Sequence, residues 1–260
     1  MTAPDQESGD GEAPSWQVRF ATLSDTGTQR GHNEDACGTY VEAPTHVLAA
    51  VADGVGGEEG GEVASQTAIE VTLRTYKLHP AAWGPLKRLY RAAQQANIEI
   101  HDRALIVTEL RRMATTLTAV VVEGGMAHAV HVGDSRLYLL RDGTLTQKTK
   151  DHVVSAERGV LTRSLGRELI AAVDRLSFPV AAGDTIFVCS DGLYNVLGDD
   201  ELRQALAVDD PAEACSGLVT KGNARGTPDN LTAAVVKISG DLPVKEPTGL
   251  RGVFSRLMGR

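Results

Sequence analysis

The sequence predicts an α+β fold in which two antiparallel β-sheets pack as a sandwich flanked by helices on both sides. Strand-like segments come in runs, not in strict alternation with helices. Gly-bearing turns such as Glu123-Gly124-Gly125 and Asp142-Gly143 separate several of them. Two sheets packed face to face, with helix pairs outside, would bury all the apolar faces.

The elements follow in order. Strands are expected at 18–22, 36–41 and 46–52, then a helix at 62–76. A second helix follows from Leu86, Leu89, Tyr90, Ala93, Ala96, Asn97 and Ile100, which recur at three- and four-residue steps. Segments 116–123, 127–132, 136–141 and 144–148 read as an antiparallel meander. Strands return at 175–178, 184–190 and 231–238, with helices at 200–207, opened by acidic residues, and 211–222, opened by a proline. The domain is expected to span 16–239, after a disordered acidic tail at 1–15 with almost nothing to bury. In the tail at 240–260, Leu250, Val253, Phe254, Leu257 and Met258 lie at helical spacing among arginines. That spacing fits a short basic amphipathic helix or, given Gly252 and Gly259, a frayed end.

Composition narrows the function. The 260 residues suit one large domain, and 42% apolar content suits a full core. With 34 acidic against 26 basic residues, a net charge of −8 provides no basic face for nucleic acid. The three cysteines, Cys37, Cys189 and Cys215, lack any Cys-x-x-Cys spacing and fit a reducing cytoplasm. Cys189, inside an apolar run, reads as a small buried hydrophobe and not a catalytic thiol. No stretch approaches the ~20 apolar residues of a membrane span, and the start of the chain has no secretory-signal pattern.

Acidic residues carry the chemistry. Asn33-Glu34-Asp35, Asp53-Gly54, Gly133-Asp134-Ser135 and Ser190-Asp191-Gly192 each lie at the end of a strand-like run, and Pro228-Asp229-Asn230 precedes the last strand. Singly, each reads as a turn. Together they read as carboxylates that would repel one another unless cations neutralise them. Oxygen ligands without clustered His or Cys favour Mg²⁺ or Mn²⁺, with Ca²⁺ next. Two such ions can activate a water and clamp an in-line displacement at phosphorus, which suits phosphate monoester hydrolysis. Arg30, four residues before Glu34, has the planar guanidinium that holds two phosphate oxygens, with Glu34 or Asp35 able to hold it in place.

The order of these motifs resembles the bacterial branch of the metal-dependent type 2C (PPM) serine/threonine protein phosphatases. The likeness is carried by Ser24 to Asp35 with Arg30, Glu34 and Asp35, by Asp53-Gly54-Val55-Gly56-Gly57 and by Ala114-Thr115-Thr116-Leu117. It continues through Val132-Gly133-Asp134-Ser135-Arg136, Ser190-Asp191-Gly192 and Asp229-Asn230. The resemblance implies a helix-flanked sandwich with a metal centre at one end, acting on phosphoserine and phosphothreonine by attack of a di-metal-activated water. It implies that Asp53 bridges two Mn²⁺ or Mg²⁺ ions, that the Gly54 carbonyl completes one, and that Asp191 and Asp229 hold the other. Asp134 matches a residue associated with a weaker third ion. Glu34 matches an acid that organises metal-bound water, Arg30 the phosphate-binding arginine, and Asp35 its ion-pair partner. The implied partners are phosphorylated Ser/Thr proteins, including Ser/Thr kinases and their substrates, and a cytoplasmic monomer is expected.

The chain departs from the family pattern in four places. Val55 stands where many animal relatives have a histidine, Ala114 where glycine is usual, and Asn195 where some relatives supply a third-metal acid. The connection at 150–161 is shorter than the usual flap before Thr162-Arg163-Ser164-Leu165-Gly166. A phosphoprotein-binding pseudophosphatase or adaptor of the same fold is the alternative, opposed by the intact acidic set. A nucleotide-binding reading of the Gly-rich stretch 54–61 lacks the Lys-Ser/Thr such a loop needs, and its glutamates would repel phosphates.

Overall fold

Alternate residues of the central strands feed two different cores, which explains why those strands are apolar without interruption. The computed structural model describes residues 17–55, 58–154 and 160–240. The chain runs through β1 (Gln17–Asp25), β2 (Asp35–Ala43), β3 (His46–Val55), α1 (Glu58–Leu78), α2 (Pro85–Ile106), β4 (Ala114–Thr115), β5 (Leu117–Glu123) and β6 (Met126–Val132). It continues with β7 (Arg136–Arg141), β8 (Thr144–Gln147), β9 (Asp174–Pro179), β10 (Thr185–Cys189), α3 (Asp191–Tyr194), α4 (Asp199–Leu206), α5 (Pro211–Ala224) and β11 (Leu231–Ser239). One sheet has the order β1-β11-β10-β7-β8 and the other β2-β3-β5-β6-β9, with β4 paired to the end of β3.

Three apolar layers result. Val47, Ala49 and Val51 of β3 meet Ile186 and Val188 of β10 and Ala234 and Val236 of β11 between the sheets. The intervening residues Leu48, Ala50 and Ala52 face the other way, onto Ala64 and Ala68 of α1 and Leu89, Ala93 and Ala96 of α2. On the far side, Phe187 and Cys189 pack with Leu202 of α4 and Leu218 of α5. The expected helix-flanked sandwich is therefore the observed architecture.

The expected four-strand meander is not. β5 pairs with β6 in one sheet and β7 with β8 in the other, so the chain changes sheets at Gly133-Asp134-Ser135. A Gly-Asp turn between two apolar runs looks the same from sequence whether the strands pair or part. The strands β1 and β3 also extend about three residues past their expected ends, at Asp25 and Val55. The tails expected at 1–15 and 240–260, including the basic helix, lie outside the described residues apart from Gly240. No described helix is long and apolar enough to cross a membrane.

Candidate metal centre

At one end of the sandwich, Arg30, Glu34, Asp53, Gly54, Asp134, Asp191 and Asp229 line a single cavity of about 300 Å³. Each sheet contributes. Asp53 lies near the end of β3, and Asp134 follows β6 on the same sheet. Asp191 follows β10, and Asp229 precedes β11 on the other sheet. All four aspartates are half-buried.

Threonines hold Asp53 by its backbone. Its N–H donates to Thr116 Oγ1 at 2.9 Å, and its carbonyl accepts from Thr116 N and Thr115 Oγ1, both at 2.9 Å. Thr116 Oγ1 in turn meets Ser135 Oγ at 2.7 Å, tying Asp53 to the turn that carries Asp134. The backbone anchors leave the Asp53 carboxylate free to face the cavity. Burial, followed by the charges of Asp35, Asp191, Asp134 and Asp229, raises its pKa well above the ordinary carboxylate value. Burial and Asp191 push Asp134 up to about 7, and burial and Asp229 push Asp191 up to about 6. Such crowding resists ionisation and is the electrostatic condition that a hard dication relieves.

Among the described residues, no three Asp, Glu, His or Cys side chains are drawn close enough together to surround one ion. Two of the candidate ligands are instead engaged with neighbours. Asp229 sits 3.0 Å from Arg30 Nη2, and Asp191 accepts from Asn195 Nδ2 at 3.0 Å. The all-oxygen donor set and the shared cavity fit Mg²⁺ or Mn²⁺.

Asp35 differs from its expected placement. It is directly opposite Asp53 in the β2–β3 register, buried at 7% exposure, and accepts from Ser190 Oγ at 2.6 Å. It does not line the cavity. Burial pushes its pKa up to about 7 despite the hydroxyl bond. Arg30 pairs with Asp229 and donates from Nε to the Pro228 carbonyl at 2.9 Å. The ion pair expected between Arg30 and Asp35 is thus replaced by one to a residue almost two hundred positions away, because β2 turns Asp35 inward between the sheets.

Asn230 was legible only as part of the Asp229-Asn230 motif, yet it fastens the loop that presents Arg30 and Glu34. Its Oδ1 accepts from Glu34 N at 2.9 Å, and its Nδ2 donates to the carbonyls of Thr26 and His32 at 2.8 and 3.0 Å. A buried side-chain amide with its partners satisfied is costly to remove. Gly54 is required for a steric reason: a β-carbon there would collide with the Gly61 carbonyl of α1 and with the Glu34 carbonyl at 2.6 Å. Gly54→Ala is expected to lower stability by about 1–3 kcal/mol, as overpacking does, measured by urea denaturation. An unchanged midpoint would contradict this contact.

A family profile described as "Protein phosphatase 2C" matches residues 28–220. The chain is 34% identical over 239 residues to the serine/threonine protein phosphatase PstP of Mycobacterium tuberculosis, covering 85% of this chain and 45% of that protein. It thus spans about half the length of that relative. It is 31% identical over 240 residues to the serine/threonine phosphatase stp of Listeria monocytogenes, covering 82% of this chain and 93% of that one. The crystal structure of the PstP catalytic domain with two manganese ions superposes at a TM-score of 0.76 with 34% identity, over 86% of this chain and all of that one (100%).

Proposed function

This chain belongs to the protein phosphatase 2C family, and from that premise we propose that it is a metal-dependent phosphatase of phosphoserine and phosphothreonine in proteins. The observation that carries the reading is the meeting of Glu34, Asp53, Asp134, Asp191 and Asp229 with Arg30 on one cavity. An acidic pocket does not by itself attract a phosphate dianion, so cations must be part of its function.

Asp53 would serve two Mn²⁺ or Mg²⁺ ions, one completed by the Gly54 carbonyl and the other held by Asp191 and Asp229, with Asp134 serving a weaker third. Bound cations would supply the Lewis acidity that readies a water for in-line attack at phosphorus and offsets phosphate charge. Arg30, fixed through Nε by the Pro228 carbonyl, orients phosphate oxygens with its remaining donors. Glu34, its backbone set by Asn230, positions the attacking water. Asp35 acts as a positioning residue, holding Ser190 beside Asp191. The substrates would be Ser/Thr kinases and the proteins they phosphorylate. Three free thiols suit a reducing cytoplasm, and we take the chain to act as a monomer.

The test is turnover of p-nitrophenyl phosphate and a phosphothreonine peptide. Activity is expected with Mn²⁺, absent in EDTA and restored by excess Mn²⁺. Phosphopeptide binding without turnover under Mn²⁺ would favour the adaptor reading and overturn the enzyme.

A further inference from the structure

A second cavity, of about 700 Å³, adjoins the acidic one and shares the Val55 wall with it. Its lining among the described residues carries the opposite charge. Arg111, Arg112 and Arg167 line it, and all three are exposed. Their side chains form no ion pair or hydrogen bond among the described residues, in a protein whose net charge is −8.

These arginines are held by ordered backbone. Arg111 and Arg112 lie just before Ala114, which pairs with Val55. Arg167 follows Leu165 and Gly166. Leu165 exchanges backbone hydrogen bonds with Thr115 at 2.8 and 3.2 Å, and Thr115 itself touches the Asp53 carbonyl. Gly166 N donates to Asn97 Oδ1 at 2.8 Å, and the Gly166 carbonyl meets His101 Nδ1 at 3.1 Å. At φ +92°, packed on Ile100, this position admits only glycine. Both arginine groups therefore hang from a short strand that abuts the acidic centre.

We propose that this arginine-lined pocket binds a carboxylate side chain of the phosphoprotein, flanking the residue to be dephosphorylated. The inference rests on the phosphatase reading above. The adjoining pocket offers planar guanidinium groups that match the carboxylate of an Asp or Glu near the phosphorylated residue. Leu105, 73% exposed on its rim, gives the peptide an apolar contact beside the charge. The pocket selects substrates without touching the reacting atoms.

The experiment compares phosphothreonine peptides that differ only in flanking Glu, Ala, Lys or phosphoserine, placed on either side. Glu on one side is expected to raise kcat/KM about tenfold over Ala, mainly through KM, and Lys to lower it. The variant R111A/R112A/R167A should erase the difference while keeping p-nitrophenyl phosphate turnover. The variant R111E/R112E/R167E should favour Lys. Equal kcat/KM across flanks, a Glu preference that survives the triple variant, or discrimination of phosphoserine with indifference to Glu would each overturn the assignment. Absence of wild-type turnover of p-nitrophenyl phosphate would instead sink the phosphatase reading. In that case, fluorescence anisotropy of the labelled peptides decides the pocket by the same Glu-over-Lys order.

Discussion

Asp53→Asn is expected to abolish Mn²⁺-dependent turnover, by on the order of 10³-fold or more, while making the metal-free protein more stable. The two effects have one cause. Asp53 is half-buried, stands directly opposite Asp35 across the β2–β3 pair, and feels Asp35, Asp191, Asp134 and Asp229. Like charges facing each other across strands are destabilising, and the amide removes one of them. Because the backbone of Asp53 makes the bonds to Thr115 and Thr116, the substitution leaves the strand end in place. Turnover by the variant near the wild-type rate would remove Asp53 from the centre. A metal-free melting temperature below wild type would show that packing, not repulsion, governs the position.

The second large effect is on stability against pH. Folding raises Asp35 and Asp134 to about 7 and Asp191 to about 6, against about 4 in an unfolded chain. Between those values the folded state holds more protons than the unfolded one, so stability falls as pH rises, the share of these three groups being lost as pH passes about 7, and the raised Asp53 acts in the same direction. His131 works in the opposite direction. Burial, with His152 nearby, pushes it down to about 4, so its contribution rises with pH, but only up to the unfolded value of about 6.5. From pH 6.5 to 7.5 the acids therefore act alone. Melting temperature in EDTA should drop through that window and sit ~5–10 °C lower at pH 8 than at pH 6, and Mn²⁺ should restore more at pH 8, where the carboxylates are ionised. Differential scanning fluorimetry decides it, and an EDTA curve that rises through the window would refute the crowding account.

The layers of the fold were legible because short, uninterrupted apolar runs bounded by turn residues survive in local sequence, as in β3, β5, β10 and β11. The sheet change at Gly133 was not, since pairing partners are chosen by tertiary packing and not by the turn residues. The same division holds at the site. Acidic residues at strand ends announced their positions one by one, and Arg30, Glu34, Asp53, Asp134, Asp191 and Asp229 line one cavity. Their hydrogen-bond partners were hidden. Neither the turn of Arg30 toward Asp229 nor the inward turn of Asp35 toward Ser190 leaves a local mark. Asn230 reaches Thr26 and His32 from the far end of the chain, and no spacing rule measures such a reach.

Asp53 travels with one sheet and Asp191 and Asp229 with the other. The distance between these groups is thus also a gauge of how the two sheets are seated. The layer between them is apolar, and apolar contact is indifferent to direction, so lateral slippage is resisted by a few polar stitches such as Ser190 to Asp35 and Asn230 to Glu34. An ion caught across the seam would rivet the halves together, and amide exchange should slow along the whole of β3 and β10, far beyond the residues that touch it.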